Sequence, residues 1–381
     1  MAERYDVAVL GAGLAGLSAA YELAASGVSV VVLERGAVGG GATGASAGLV
    51  LTGIADHASR LGHGVGRDEA AAVWRFSLEN GDLIRALVRR HGIACDYARR
   101  GSYAVAVNPA EDRDLRESVE LLEAEGVDAE CVHLDQAELA REPHAPRGLG
   151  ALRYDLDASL EGAALLRGLA GALPAERARV RERTEVRALE VGASGVRIDT
   201  AAGEVEAEIA IVAANARSPQ VAPFFEGLIW PVRGQAFVTA PLPRLLDCGV
   251  SAAWGHEMYR QRPDGRLIAA GFRPEPGEDD IGFDERPTDV FQGFLARFAA
   301  QRLPGLPTPL PVERRFAATC GFSRDALPLL GPLPGQPKIL ACCGFTMRGL
   351  SLAAAAGRSA ARLVTDGVRD FPACFLPGRF L

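Results

Sequence analysis

The residues with the clearest chemistry stand near the start of the chain. Gly11, Gly13 and Gly16 have the spacing G-x-G-x-x-G, with Ala12, Leu14 and Ala15 between them, and Glu34 and Arg35 follow downstream. The first glycine of such a run permits a tight turn. The second lets a pyrophosphate approach the backbone, and the third lets a helix pack closely on a strand. A helix opening at Leu14 offers unpaired N–H groups and a partial positive charge to phosphates. An acid closing the next strand can accept hydrogen bonds from ribose hydroxyls. The chemistry expected here is the holding of a dinucleotide.

Those residues need a strand, a turn, a helix and a second strand, and the flanking sequence supplies them. Asp6 to Leu10 is a short apolar run, Leu14 to Ala25 has helical spacing, Gly27 stops that helix, and Val28 to Leu33 is a second buried strand. Together they predict one right-handed parallel βαβ unit. After Glu34 comes Gly39-Gly40-Gly41-Ala42-Thr43-Gly44-Ala45-Ser46-Ala47-Gly48, then Leu49. Small residues over that length allow backbone amides and hydroxyls to wrap an extended ligand.

Helical periodicity recurs over Glu69 to His91, Glu111 to Gly126, Ala158 to Leu173, Phe291 to Gln301 and Leu350 to Thr365. Strand patterns are read at Ser102 to Val107, Val232 to Thr239, Glu257 to Gln261, Arg266 to Gly271 and Lys338 to Cys343. Thr184 to Val191, Val196 to Thr200 and Glu204 to Glu208 read as a meander, with Ile209 to Ala214 as a separate buried strand. The expected class is α/β, a Rossmann-like unit with a discontinuous α+β unit built on an antiparallel sheet.

Composition narrows the class further. With 381 residues, 48% hydrophobic, a net charge of −7 and no basic block, the chain reads as globular. Nucleic acid is not expected as its partner. Seven cysteines form no C-x-x-C pair, and Cys342-Cys343 lies in an apolar run, so neither a disulfide framework nor a metal site is expected. The first residues lack the pattern of a signal peptide and no apolar run approaches a membrane span, which predicts a cytoplasmic protein with no integral membrane segment. Lys338 is the only lysine, so a catalytic lysine would have to be that one.

Taken together, these motifs resemble the FAD-dependent D-amino-acid oxidase superfamily, especially its glycine, sarcosine and γ-glutamylputrescine oxidase branches. The resemblance rests on the N-terminal fingerprint, the Gly41 to Gly48 stretch and Arg233-Gly234-Gln235 after Trp230-Pro231. It continues through Tyr259 to Gly265, Arg324 to Gly331 and Gly344-Phe345-Thr346-Met347-Arg348-Gly349-Leu350. It implies FAD bound extended, with adenine near Val186 and Ala214-Asn215. It implies an FAD-binding domain at 1–90, 150–225 and 320–381, and a substrate domain at 91–149 and 226–319. Gly344, Thr346, Met347, Arg348, Gly349 and Leu350 are then expected at the flavin.

The implied reaction is oxidation of an amine or amino acid to an imine, with oxygen as acceptor and hydrogen peroxide as product. A dehydrogenase passing electrons to a quinone or protein, or a flavin monooxygenase, are the rivals. Arg348 is expected either to stabilise charge on reduced flavin or to hold a substrate carboxylate. The resemblance also implies a lysine beside the flavin, which this region lacks, so either Arg260 or His256 substitutes or oxygen is a poor acceptor. His256 and Tyr259 are expected on a strand facing the substrate cavity and, with Arg260, are the other catalytic candidates. Ser351 stands where relatives carry a lysine that helps hold the substrate carboxylate. Cys320, near where some relatives attach flavin covalently, reads instead as a buried thiol, so FAD is expected to be held non-covalently.

Overall fold

Residues 3–273 and 277–381 are described by a computed structural model. The βαβ unit forms as expected. Strand β1 (Glu3–Leu10), helix α1 (Leu14–Ala25) and strand β2 (Val30–Leu33) follow one another, with β1 and β2 parallel. Val7 to Leu10 and Val30 to Leu33 are buried throughout, as befits a parallel sheet covered on both faces. On the far side of β1 lies Gly203–Val212, and beyond β2 lies Ala178–Arg181.

The strand Gly203–Val212 corrects the sequence reading, which divided it at Ile209. Its first half pairs antiparallel with Gly195–Thr200, while Ala210 to Val212 pair in parallel with Ile339 to Ala341. One continuous strand therefore joins the meander to the parallel core. A second correction falls at Ala158 to Leu173. Ala158–Ser159 is a short strand bonded to Leu49–Val50 and Ala98–Arg99, and the helix spans only Gly162–Gly171.

The C-terminal helix, Gly349–Thr365, packs on α1 through small residues. A methyl on Gly357 would fall 2.2 Å from the Ala15 carbonyl oxygen, so a side chain there would part the two helices.

A second sheet of eight strands, mostly antiparallel, stands against this unit. Its centre is Ile229–Pro241, between Val312–Ser323 and Arg266–Gly271, and it continues through Glu257–Gln261 and Gly249–Ala252. Gly249–Ala252 then pairs in parallel with Ser102–Ala106, which leads to Gly150–Tyr154 and Cys131–Asp135. Helix Asp289–Arg302 covers one face of the sheet. Among the described residues no helix is long and apolar enough to cross a membrane.

Candidate functional site

One elongated cavity runs from the carboxyl ends of β1 and β2 to the inner face of the second sheet. Gly11 to Ala15, Glu34 and Arg35 line its first part, and the glycine fingerprint divides its labour there. Gly11 has φ +112°, and a methyl on it would lie 2.6 Å from the Ala213 carbonyl oxygen. A methyl on Gly16 would lie 2.0 Å from the Gly11 carbonyl oxygen, so Gly16 serves packing and does not line the cavity. At Gly13 a methyl would meet nothing within 4 Å.

Open space therefore lies at the one glycine that caps α1, where no side chain caps the helix and no acid occupies the first turn. That is the donor set an anionic pyrophosphate needs, and the cradle fits the dinucleotide. Glu34 accepts from Ala12 N at 2.9 Å and from Gly36 N at 2.7 Å, which fixes its carboxylate at the turn. A carboxylate has about four lone-pair positions, so room remains for ligand hydroxyls.

The small-residue loop forms the next wall. Gly41, Ala42, Thr43 and Ser46 to Leu49 all line the cavity. Ser46 Oγ donates to the Thr43 carbonyl at 2.8 Å and accepts from Gly48 N at 3.2 Å, closing a turn within the loop. Gly44 packs on the Gly39 carbonyl, where a methyl would overlap at 1.8 Å. Val186, Ala214 and Asn215 line the cavity opposite. Asn215, at φ +48°, accepts from Gly344 N at 3.1 Å and so ties the C-terminal loop to the parallel sheet.

Within that loop the residues separate. Met347, Gly349 and Leu350 line the cavity, whereas Gly344, Thr346 and Arg348 do not. Gly344 packs beneath, and the Thr346 hydroxyl accepts from Ser323 N at 3.1 Å. Arg348 is buried beyond the cavity wall, its Nη2 donating to Ser251 Oγ at 3.4 Å and its Nη1 without a partner. Burial lowers its pKa to about 10, so it stays cationic at neutral pH.

The floor comes from the second sheet, and sequence reasoning missed it. Ser251, Met258, Ala270, Ala236 and Phe316 are successive cross-strand partners and so share one face. Met258, Ala270, Ala236 and Phe316 line the cavity, with Ala318, Thr319 and Cys320 beside them. Strand alternation would have paired these residues with one another. Which face meets the cavity depends on the other sheet.

None of the three catalytic candidates of this region lines the cavity. Tyr259, next to Met258, points to the opposite face, is fully buried under helix Asp289–Arg302 and donates to Glu257 at 2.7 Å. Arg260 shares the cavity-side face but is locked away. Its guanidinium pairs with Glu161 and donates to the Ala47, Gly48 and Leu160 carbonyls, so it clamps the loop from behind. His256 does not line the cavity; its Nδ1 meets the Ala253 carbonyl and its ring lies 4.7 Å from that of Phe272.

Lys338 lies far off, donating to the Gly192 and Ala193 carbonyls. Ser351 is buried and accepts from Leu51 N at 3.3 Å. Cys320 is a buried thiol in the cavity wall, and desolvation pushes its pKa up to about 12.

Comparison with known proteins agrees with this geometry. The family described as FAD dependent oxidoreductase (DAO) matches residues 6–363. The chain is 31% identical over 275 residues to gamma-glutamylputrescine oxidoreductase of Escherichia coli (strain K12), covering 70% of this chain and 64% of that protein. It is 28% identical over 377 residues to glycine oxidase of Bacillus licheniformis, covering 96% and 94%. The solved glycine oxidase of Geobacillus kaustophilus superposes with a TM-score of 0.84 at 25% identity, over the whole of both chains.

Proposed function

The chain belongs to the FAD-dependent oxidoreductase family (DAO), and on that premise we propose that it oxidises the carbon–nitrogen bond of an amine or amino acid to an imine, with oxygen as electron acceptor. The observation that carries the reading is the single cavity, which joins a dinucleotide cradle to an apolar floor. FAD, held non-covalently, supplies the capacity to take two electrons and hydrogen from the carbon bearing the nitrogen. The imine then hydrolyses in water, and oxygen takes up two electrons and two protons to give hydrogen peroxide.

The chain's own residues bind, orient and exclude water. Gly13 and the start of α1 would hold the pyrophosphate, Glu34 and Arg35 the ribose, and Val186 and Ala214 the adenine. The loop from Gly41 to Leu49 and the start of the C-terminal helix at Gly349 and Leu350 embrace the rest. The floor of Ala236, Met258, Ala270 and Phe316 excludes water and favours the neutral form of a bound amine, the form that can be oxidised. Arg348, cationic and with one nitrogen unpartnered, stands behind the cavity wall between Met347 and Gly349, and we assign it to a substrate carboxylate that reaches it past that wall. The Cys320 thiol stays neutral there, in keeping with non-covalent FAD. In this reading the sheet around β1 belongs to the FAD-binding domain and the second sheet to the substrate domain, so Gly150–Tyr154, expected in the FAD-binding domain, goes with the substrate domain instead.

The test is anaerobic mixing of the yellow protein with a panel of amines and amino acids, without NAD(P)H. Loss of the oxidised flavin absorbance, followed by its return with oxygen and peroxide release, is the expected result. Bleaching by NAD(P)H alone, or by no amine, would reject the reading.

A further inference from the structure

The surroundings of Arg348 include a device that the reaction itself does not explain. The turn between Gly249–Ala252 and Glu257–Gln261 carries three consecutive left-handed residues: Ala253 at φ +53°, Trp254 at +51° and Gly255 at +83°. Two of them are not glycine, and side chains rarely accept that conformation unless neighbours impose it. A methyl on Gly255 would stand 2.8 Å from Arg348 Nη2, so the turn rests directly on the guanidinium.

What imposes the turn is a buried acid on another element. Glu111, with 0% exposure, lies in helix Pro109–Ala124. Its Oε1 accepts from Trp254 N at 2.5 Å and faces His57 Nε2 at 3.3 Å, and its Oε2 accepts from Val107 N at 2.9 Å. No arginine or lysine pairs with it among the described residues. Asp114, one turn further along the same helix, accepts from Trp254 Nε1 at 3.0 Å. The helix thus grips the turn by backbone and indole together.

The acids around Arg348 are engaged elsewhere. Asp157 accepts from Thr52 N, Thr52 Oγ1 and Ser102 Oγ at 2.8, 2.7 and 2.6 Å, and Asp56 pairs with Arg60 at 2.9 Å. Neither closes an ion pair with Arg348. The guanidinium is therefore located by packing and by Ser251, and Gly255 is the backbone it packs on. Ser251 is the cross-strand partner of Met258 in the cavity floor, so this arrangement stands at the cavity's edge.

We propose that Glu111 is a positioning residue for Arg348, acting through the turn Ala253–Gly255 to set where the unpaired guanidinium nitrogen meets a carboxylate. The inference rests on the assignment of Arg348 to a substrate carboxylate. Loss of the Glu111 contact lets the strained turn relax and frees the guanidinium to drift, which weakens anion binding while the apolar floor is untouched.

The experiment uses FAD-loaded enzyme with propionate as a non-reacting carboxylate and propionamide as its uncharged counterpart, each titrated calorimetrically. Glu111→Leu and Gly255→Ala are made alone and together with Arg348→Ala. Each single variant is expected to weaken propionate at least tenfold, to leave propionamide within twofold and to retain FAD. On the Arg348→Ala background neither should weaken propionate further, because coupled residues are not additive. Should Glu111→Leu fail to fold, Gly255→Ala carries the test, since it displaces the guanidinium directly. Equal losses for both ligands, or additive losses with Arg348→Ala, overturn the positioning role while amine-driven flavin reduction stands. Absence of propionate binding in the parent enzyme overturns the Arg348 subsite and its positioning together.

Discussion

At Gly13 a side chain would enter empty space that the cofactor needs; at Gly16 it would enter the backbone of Gly11. The two glycines therefore fail in different ways. Gly13→Val should leave the stability of the flavin-free protein within about 1 kcal/mol of the parent and abolish flavin retention, because the valine occupies pyrophosphate space. Gly16→Ala should destabilise the fold itself by about 2 kcal/mol or more, since the overlap forces α1 away from β1. Thermal denaturation of both apoproteins, with flavin content after reconstitution, separates the roles. Glu34 is different again, because it binds the turn and the ligand at once. Glu34→Ala should weaken FAD about a hundredfold, nearly 3 kcal/mol, with little change in the rate of flavin reduction at saturating FAD. Normal FAD affinity in that variant would remove the carboxylate from the ribose site.

Among the elements, the loop from Gly41 to Gly48 owes its shape to one arginine behind it. Arg260 is 3% exposed and serves the Ala47, Gly48 and Leu160 carbonyls together with Glu161. Arg260→Met should cost about 3 kcal/mol, because the carbonyls lose their donor in a buried place and no water can replace it. Slower flavin uptake should accompany the lower melting temperature; unchanged uptake would show that the loop keeps its form without the clamp. This arginine also marks where sequence reasoning stops. The βαβ unit was legible because its signals are local: apolar runs, glycine spacing and an acid at the strand's end. The floor was not, because alanine and methionine announce no chemistry, and only pairing with Gly249–Ala252, Arg266–Gly271 and Val312–Ser323 decides which face they share. Val312–Ser323 escaped notice for a related reason. It begins with Glu313, Arg314 and Arg315 exposed and becomes apolar only where it reaches the cavity. Tyr259 and Arg260 drew attention as reactive types, whereas burial and alternation give one to the core and the other to the loop.

Across the whole molecule, the cavity depends on the wall at Leu49 keeping its place against the second sheet, and Asp157 is one of the ties. It is 3% exposed and accepts from Thr52, three residues past Leu49 of the cavity wall, and from Ser102 at the start of a strand in the second sheet. Burial raises its pKa to about 6 from an ordinary value of 3.8, although the hydrogen bonds from Ser102 and Thr52 pull the other way. The folded state holds the proton more tightly than the unfolded state, so this group's contribution is complete below about pH 4. It is lost as the pH rises through about 6. In Asp157→Asn the amide oxygen can still accept from Thr52 and the amide nitrogen can donate to Ser102, with nothing left to titrate. Relative to that variant, the parent should lose up to about 3 kcal/mol of stability between pH 4 and pH 7. Denaturant unfolding of the two proteins side by side across that range measures the difference directly, because all other titrating groups are shared. A difference that stays flat from pH 4 to pH 7 would mean that Asp157 ionises as freely in the fold as in the unfolded chain. The tie to the second sheet would then be an ordinary carboxylate, with no cost of burial to relieve.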